Sequence, residues 1–324
     1  MCADKTMELI GEFIKATQDV APKILPDCDV RKLPVEYTAS ELKENLKNAS
    51  VRSVIIFSNY VLELHNELLS GVANILVSEI ARRIKSTETL YAVMSGLLAK
   101  DYPYITGAVD SVIFLSEEEG NKYVAQINEK TNDKIKLKKL EKEEIQQYFV
   151  TLTRFGIEYV IVEPTLCKLR YQQNQLFKSD FASISGSKLS FTILRFLQAQ
   201  ESGRNRLAIK GLEAAMLLGI ATGTFACMGK TINGNFEAML FTDKRDDTKW
   251  IPIFTDTAEI QETYVTVPSA AKILMTGETV TMKFNELRRF MALEQVSGVV
   301  INIGGCGVRI DKEKCRRLMG ERNI

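Results

Sequence analysis

The sequence predicts an α+β protein in which one small mixed unit of helices and strands occurs twice in tandem. Three short apolar blocks recur in the same order along the chain, at residues 91–94, 112–116 and 160–164 and again at residues 225–228, 252–256 and 299–303. The offsets are 134, 140 and 139 residues, measured for Ala92 with Ala226, Phe114 with Phe254, and Glu163 with Asn302. Because a near-constant period marks a repeated structural unit, these offsets predict a duplication.

The length of the chain agrees with a duplicated plan. At about 100–200 residues per domain, 324 residues suggest two domains. We therefore predict a helical N-terminal segment over residues 1–50, a first copy over 51–170, a helical connector over 171–203 and a second copy over 204–324.

Each copy is predicted to contain a helix, a three-strand meander, two helices and a further strand, in that order. The opening helix carries apolar residues at helical spacing, within residues 61–80 of the first copy and 207–218 of the second. In the second copy, Asn233 and Gly234 lie between two strand-like runs. This dipeptide favours a two-residue hairpin turn, because both turn positions need a positive φ.

A helix start follows the second block in each copy. Ser116 precedes Glu119 by three residues, and Asp256 precedes Glu259 by the same distance. A side-chain oxygen at the first of these positions accepts a hydrogen bond from a free backbone N–H of the first helical turn, and the glutamate reaches back. Both copies therefore run from strand to cap to helix.

A second helix in each copy is predicted from a further set of apolar residues at helical spacing. These residues are Leu140, Ile145, Tyr148, Phe149 and Leu152 in the first copy, and Phe284, Leu287, Phe290, Met291 and Leu293 in the second. Each set leads into a β-rich run, at residues 159–162 and 299–301. These runs predict the last strand of each copy.

Composition excludes several classes of function. The net charge of +1 gives no overall attraction to nucleic acid. The longest uncharged run, residues 214–229, is shorter than the ~20 residues of a membrane-spanning helix. The six cysteines show no disulfide framework or zinc spacing, and the N-terminus has no apolar signal core. We expect a cytoplasmic protein without metal or cofactor.

A candidate ligand site lies at the ends of two predicted strands of the second copy. Thr255 and Asp256 follow one strand, Asn302 follows another, and Gly304, Gly305 and Cys306 form the loop after it. Consecutive backbone N–H groups in such a loop can bind an anion. The alternative is a tight turn that needs glycine for its backbone conformation, and the missing helix after the loop favours this alternative.

Two side chains of the sequence belong to types that can act as catalytic groups. Cys306 could be a nucleophile with Arg309 nearby to lower the pKa of its thiol, or an inert residue in a turn. It has no clear counterpart in the first copy. His65 is the only histidine, and no nucleophile stands near it in sequence. A histidine at the surface of its helix is therefore the favoured interpretation, and no catalytic residue is assigned.

The second copy resembles the SseB N-terminal-type domain, a family of mostly uncharacterised bacterial proteins. The resemblance covers roughly residues 205–320 and is carried by residues 250–256, Trp-Ile-Pro-Ile-Phe-Thr-Asp, and 298–302, Gly-Val-Val-Ile-Asn. Ile303 and Gly304 stand where the family pattern has Pro and Phe after the asparagine. The resemblance implies a fold and brings no assigned reaction.

Two functional hypotheses follow from the sequence. The first is a non-catalytic protein- or peptide-binding or regulatory module, because the duplicated positions carry no matched catalytic residues. The groove between two related units is the site expected for such a ligand. The second is a small-molecule or anion-binding enzyme that uses the loop at residues 304–307, Cys306, Asn302 and Thr255.

Overall fold

The structure is a computed structural model, and it describes most of the chain from residue 70 onward. The described residues are 70–98, 100–166, 169–178, 181, 183–203, 205–267 and 277–320, together with Val51, Val54, Ile55, Ser58, Val61 and Leu62. The predicted helical segment over residues 1–50 and the histidine His65 lie outside them.

From residue 70 onward, the described part of the first unit contains five strands and four helices. In chain order they are α1 (Ser70–Ser86), β1 (Thr89–Ser95), β2 (Asp110–Phe114), α2 (Glu117–Lys130), β3 (Ile135–Glu141), α3 (Lys142–Arg154), β4 (Tyr159–Val162), β5 (Leu169–Gln172) and α4 (Gln173–Leu176). The helix α5 (Ser187–Glu201) then leads to the second unit.

The second unit repeats this order with an added hairpin. Its elements are α6 (Arg206–Thr222), β6 (Thr224–Ile232), β7 (Asn235–Ala238), β8 (Phe241–Thr242), β9 (Lys249–Phe254), α7 (Thr257–Thr266), β10 (Glu278–Lys283), a 3₁₀ helix (Phe284–Leu287), α8 (Arg288–Met291), β11 (Val296–Ile301), β12 (Val308–Asp311) and α9 (Lys312–Leu318). Asn233 and Gly234 form the predicted turn with φ of 53° and 81°.

The two sheets share one strand order. The first sheet runs β3-β1-β2-β4-β5, and the main path of the second runs β10-β6-β9-β11-β12. The strands β2 and β4 of the first sheet are parallel, and so are the matching strands β9 and β11 of the second. The other neighbours along these two paths are antiparallel. The predicted α+β class is confirmed, and the common topology agrees with a tandem repeat.

The order of elements inside each unit differs from the predicted meander. A strand lies between the two helices in both units, namely β3 in the first and β10 in the second. Leu140, which we predicted to lie on a helix, pairs with Leu90 in the sheet. The helix begins one residue after Glu141, which is its N-cap residue. Lysines between the buried residues Ile135 and Leu140 are typical of an edge strand. The spacing of the apolar residues alone did not distinguish this strand from the start of the helix.

The structure also corrects one of the three offsets. Tyr91 pairs with Phe114, and Ala226 pairs with Phe254, so the first strands match at an offset of 135 instead of 134. A slip of one residue exchanges the two faces of a strand. With the corrected offset, Ala92 and Cys227 both face the central core. The other two offsets, 140 and 139, agree with the observed pairing.

One hydrophobic core runs through both units. Leu90 and Ala92 from the first sheet join Phe225 and Cys227 from the second in a single cluster of buried side chains. The opposite face of each sheet packs on its own helix, α2 in the first unit and α7 in the second.

The connector is attached to the second unit through backbone hydrogen bonds and to both units through helix packing. Ile184 N and Ser185 N donate to Thr255 O at 3.0 Å each, at the end of β9. The helix α5 packs against α6 and against α3. The strand β5 crosses the predicted boundary at residue 170, and its hydrogen bonds to β4 place it in the first sheet.

In the described part of the chain, no helix combines the length and apolar character needed to cross a membrane.

Candidate functional site

The parallel strands β9 and β11 bring the predicted site residues together. Thr255 follows β9 and Asn302 follows β11. Asn302 Oδ1 accepts from Thr255 N at 3.0 Å, and Asn302 Nδ2 donates to Thr255 Oγ1 at 2.9 Å. Both residues are buried. The two strand ends therefore converge as predicted, and the Asn302 side chain is hydrogen-bonded to both the backbone and the hydroxyl group of Thr255.

The same arrangement occurs in the first unit. Glu163 Oε1 accepts from Leu115 N at 2.7 Å and from Ser116 N at 3.1 Å. Glu163 and Asn302 have positive φ values of 48° and 53°. Each donates its backbone N–H to the neighbouring parallel strand, Glu163 to Ile113 O and Asn302 to Ile253 O. Left-handed backbone is rare outside glycine and is most easily adopted by asparagine. This repetition assigns a structural role to Asn302.

The predicted N-cap residues are present in both units, but the glutamate side chains contact other groups: Glu259 pairs with Arg154, and Glu119 accepts from Thr165 Oγ1. Asp256 Oδ1 accepts from Glu259 N at 2.9 Å, and Ser116 Oγ accepts from Glu119 N at 3.5 Å. Both glutamates are buried. Asp256 therefore satisfies a backbone donor of α7 and stabilises the start of that helix.

The loop at residues 304–307 packs tightly on α7. Gly304 N donates to Thr263 Oγ1 at 3.2 Å, and Gly304 O accepts from Thr266 Oγ1 at 3.2 Å. A Cβ atom on Gly305 would lie 2.2 Å from Glu259 Oε2 and 2.7 Å from the hydroxyl of Tyr102. Close packing between the units thus requires glycine at position 305, and protein atoms occupy the space that an anion would need.

Three charged side chains form a buried cluster between the units. The sequence patterns did not predict that these side chains contact each other. Arg154, the last residue of α3, forms ion pairs with Asp256 and Glu259 of the second unit. Their side chains are 12%, 1% and 0% exposed, in that order. Glu259 was identified as a partner in the helix cap, but nothing local in the sequence points from Arg154 to α7.

Cys306 and Tyr102 lie beside this cluster. Both are buried, and the Tyr102 hydroxyl is hydrogen-bonded to the Cys306 sulfur. Burial raises the pKa of the Cys306 thiol far above its ordinary value, and the Glu259 carboxylate raises it further. Burial likewise raises the pKa of Tyr102. Since the thiolate is the nucleophilic form, a neutral buried thiol is unreactive.

Glu259 is the titratable group with the most unusual environment in this cluster. Burial raises the pKa of Glu259 to about 7, although the guanidinium of Arg154 lowers it, and the neighbouring Asp256 raises it again. One guanidinium faces two buried carboxylates, so a proton on Glu259 relieves the excess negative charge. Its atom Oε2 has no hydrogen-bond partner.

Cys306 has a sequence counterpart after all. The offset of 139 that relates β4 to β11 also relates β5 to β12, so no insertion separates the two matched loops. Cys167 therefore stands at the position of Cys306, although it lies outside the described residues.

Within the described ranges, no group of three or more metal-binding side chains occurs.

An exposed apolar face lies on α6. Leu207 and Leu218 are 78% and 67% exposed, and Gly211 and Ala214 between them are also exposed. We call these four residues the α6 face. The opposite side of the helix is buried through Met216 and Ile220. A helix that is apolar on both sides but buried on one presents a surface suited to a partner.

Comparisons with known proteins do not assign this chain to a family. No family model matches, and no curated protein matches. Among solved structures, one described as Anabaena Tic22 (protein transport) matches 68% of this chain and 92% of that chain, at 9% sequence identity. Its TM-score is 0.18, which is too low to carry any argument about fold or function.

Proposed function

We propose that this protein is a non-catalytic protein-binding module and that the α6 face is its docking surface. The observation that carries the proposal is the exposure of two leucines, 78% for Leu207 and 67% for Leu218, on one side of a helix. Burying an exposed leucine against a partner contributes about 1.5–3 kcal/mol when burial is complete. Single exposed apolar residues are common, but a continuous apolar stripe is not.

The matched helix of the first unit supports this proposal as an internal control. The helices α1 and α6 end 136 positions apart, at Ser86 and Thr222. At this offset the buried Ile80 and Ile84 match the buried Met216 and Ile220. The positions matching Leu207, Gly211, Ala214 and Leu218 are Gly71, the half-buried Ile75, Ser78 and Arg82. The duplicated scaffold therefore folds without a leucine at either end of this face, and α6 carries leucines where folding does not need them.

The alternative, an enzyme or anion-binding protein using the loop at residues 304–307, finds no comparable support. The backbone N–H and C=O of Gly304 are hydrogen-bonded to the hydroxyl groups of Thr263 and Thr266. Gly307 N donates to Gly305 O at 2.9 Å. The thiol of Cys306 is buried and neutral. Nucleophilic chemistry would need an exposed or acidified thiol.

The experiment uses tagged protein as bait in a lysate of its native cells that also contains the untagged chain. The test variant is Leu207→Glu with Leu218→Glu. The control is Gly71→Glu with Ser78→Glu, which adds the same charge to the exposed side of α1. We expect a protein, whether another chain or the untagged copy, to be retained by the unmodified bait and by the control and lost from the test variant. If no retained protein depends on the two leucines, the α6 face is not a docking surface.

We also propose a cytoplasmic location and keep the SseB N-terminal-type family as a proposed relationship. Cys227, Cys306 and Cys315 are free and buried, which suits a reducing compartment. The family proposal is supported by residues 250–256 and 298–302 alone, and their contacts are those of a strand end and its capping asparagine.

A further inference from the structure

We propose that the partner of the α6 face is a second copy of this chain, with the two α6 helices antiparallel across a two-fold axis. This inference rests on the proposed function, because it names the partner of the same surface. Symmetric two-fold dimers use the same patch on both chains, so the patch must be complementary to itself. The order of residues along the α6 face meets this requirement.

The α6 face reads the same in both directions in terms of side-chain size. Leu207, Gly211, Ala214 and Leu218 follow each other at intervals of four, three and four residues, the spacing of a helix–helix seam. The sequence of sizes is large, small, small, large, and its midpoint lies between positions 212 and 213. An antiparallel two-fold axis at this midpoint places Leu207 against the partner's Leu218 and Gly211 against the partner's Ala214.

The small residues at the centre allow the helices to approach closely. A Cβ atom on Gly211 would meet no other atom within 4 Å, so the space outside the helix is open at this point. Interaxial distances of packed helices range over about 8–10 Å and depend on the side chains at the contact. With glycine and alanine at the centre, the leucines at both ends can reach across and close the seam.

Charge does not oppose this pairing. Arg206 and Lys210 are the exposed charged residues nearest the α6 face. The two-fold axis sets Arg206 near the partner's Gly219, away from the partner's Arg206. The same axis sets Lys210 near the partner's Ala215, away from the partner's Lys210. Glu213 is already paired with Lys314 at 2.6 Å on the side toward α9. No like charges therefore meet across the axis.

A second copy fits this face better than the matched helix of the first unit would. The exposed side of α1 carries Asn74, Ser78 and Arg82, so a contact between α1 and α6 would place a guanidinium against leucine. A contact between two α6 helices is apolar throughout its centre. Because a single helix pair offers a smaller contact than the ~1,200 Å² of stable complexes, we expect the dimer to be weak.

Sedimentation equilibrium of the full chain between about 1 μM and about 500 μM tests this inference. We expect a reversible monomer–dimer equilibrium for the unmodified protein and for the control, Gly71→Glu with Ser78→Glu. For Leu207→Glu with Leu218→Glu, we expect dimerisation to weaken at least about 100-fold, since four carboxylates then enter the seam. A monomer at every concentration, or a dimer that ignores the two leucines, overturns the inference.

Disulfide cross-linking tests the antiparallel geometry. A mixture of Leu207→Cys and Leu218→Cys proteins should form a cross-linked pair, because the two positions meet across the axis. Leu207→Cys alone should not, because eleven residues of helix separate the two copies of this position by about 17 Å. Efficient cross-linking of Leu207→Cys with itself would indicate a parallel pair and refute the two-fold arrangement.

The two proposals fail in different ways. A monomeric protein that still retains another lysate protein through Leu207 and Leu218 removes the second copy as partner and leaves the docking surface in place. A monomeric protein whose lysate contacts do not depend on the leucines removes both.

Discussion

The buried cluster between the units makes folding stability depend on the charge of one side chain. Glu259 is fully buried beside Arg154 and Asp256, and burial raises its pKa from 4.5 to about 7. The folded protein therefore binds a proton in a pH range where the unfolded chain has released it. Stability contributed by this protonated state is present below about pH 4.5 and is lost as the pH rises to about 7 and above.

The substitution Glu259→Gln removes this dependence while it keeps the shape of the side chain. Each tenfold change in a proton dissociation constant is worth about 1.4 kcal/mol. The change of the pKa from 4.5 to about 7 thus corresponds to about 3 kcal/mol of unfolding free energy. We expect the variant to gain that amount relative to the unmodified protein between about pH 4.5 and about pH 7.5.

Urea unfolding at half-unit pH intervals measures the effect as the difference in unfolding free energy between the two proteins. Other titrating groups contribute to both and cancel in this difference. Glu262→Gln, one turn further along α7, is the control because its carboxylate is 43% exposed and pairs with Lys100. Parallel pH profiles for Glu259→Gln and the unmodified protein would refute the assignment of the proton to Glu259.

Three further predictions concern the same region of the molecule. Arg154→Met leaves two buried carboxylates without their cation and should lower the unfolding free energy by about 3–5 kcal/mol in urea titration, whereas Arg82→Met on the exposed side of α1 should change it little. Asn302→Ala removes the acceptor for Thr255 N from a left-handed position and should cost about 2–3 kcal/mol in the same assay; an unchanged midpoint would contradict the capping role. Alkylation of native Cys306 should be at least about 100-fold slower than in denaturant, and rapid native labelling would restore the thiol as a candidate nucleophile.

Local sequence patterns determined the repeat and its strand ends. Ser116 and Asp256 cap their helices as predicted, because capping depends on residues only three positions apart. The turn at Asn233 and Gly234 also follows from local backbone preferences. The convergence of Thr255 and Asn302 was predictable because matched blocks in both copies end at these positions.

Periodicity did not resolve the strand before each second helix or the register of the first strand. Leu140 fits both a helix stripe and an alternating strand, and its sheet partner Leu90 lies fifty residues earlier. The one-residue change at Ala226 follows from hydrogen bonding between strands, which the similarity of short apolar blocks does not contain.

The amino-acid sequence by itself determined that one α+β unit is used twice, because the apolar blocks and caps that build each copy are local and recur. Only the tertiary structure decided what the predicted loop does. Arg154 and Tyr102 of the first unit lie against Glu259, Gly305 and Cys306 of the second, and this contact fills the predicted ligand site with protein. The exposure of the α6 face was decided at the same level, because an apolar helix is buried or exposed according to what packs on it.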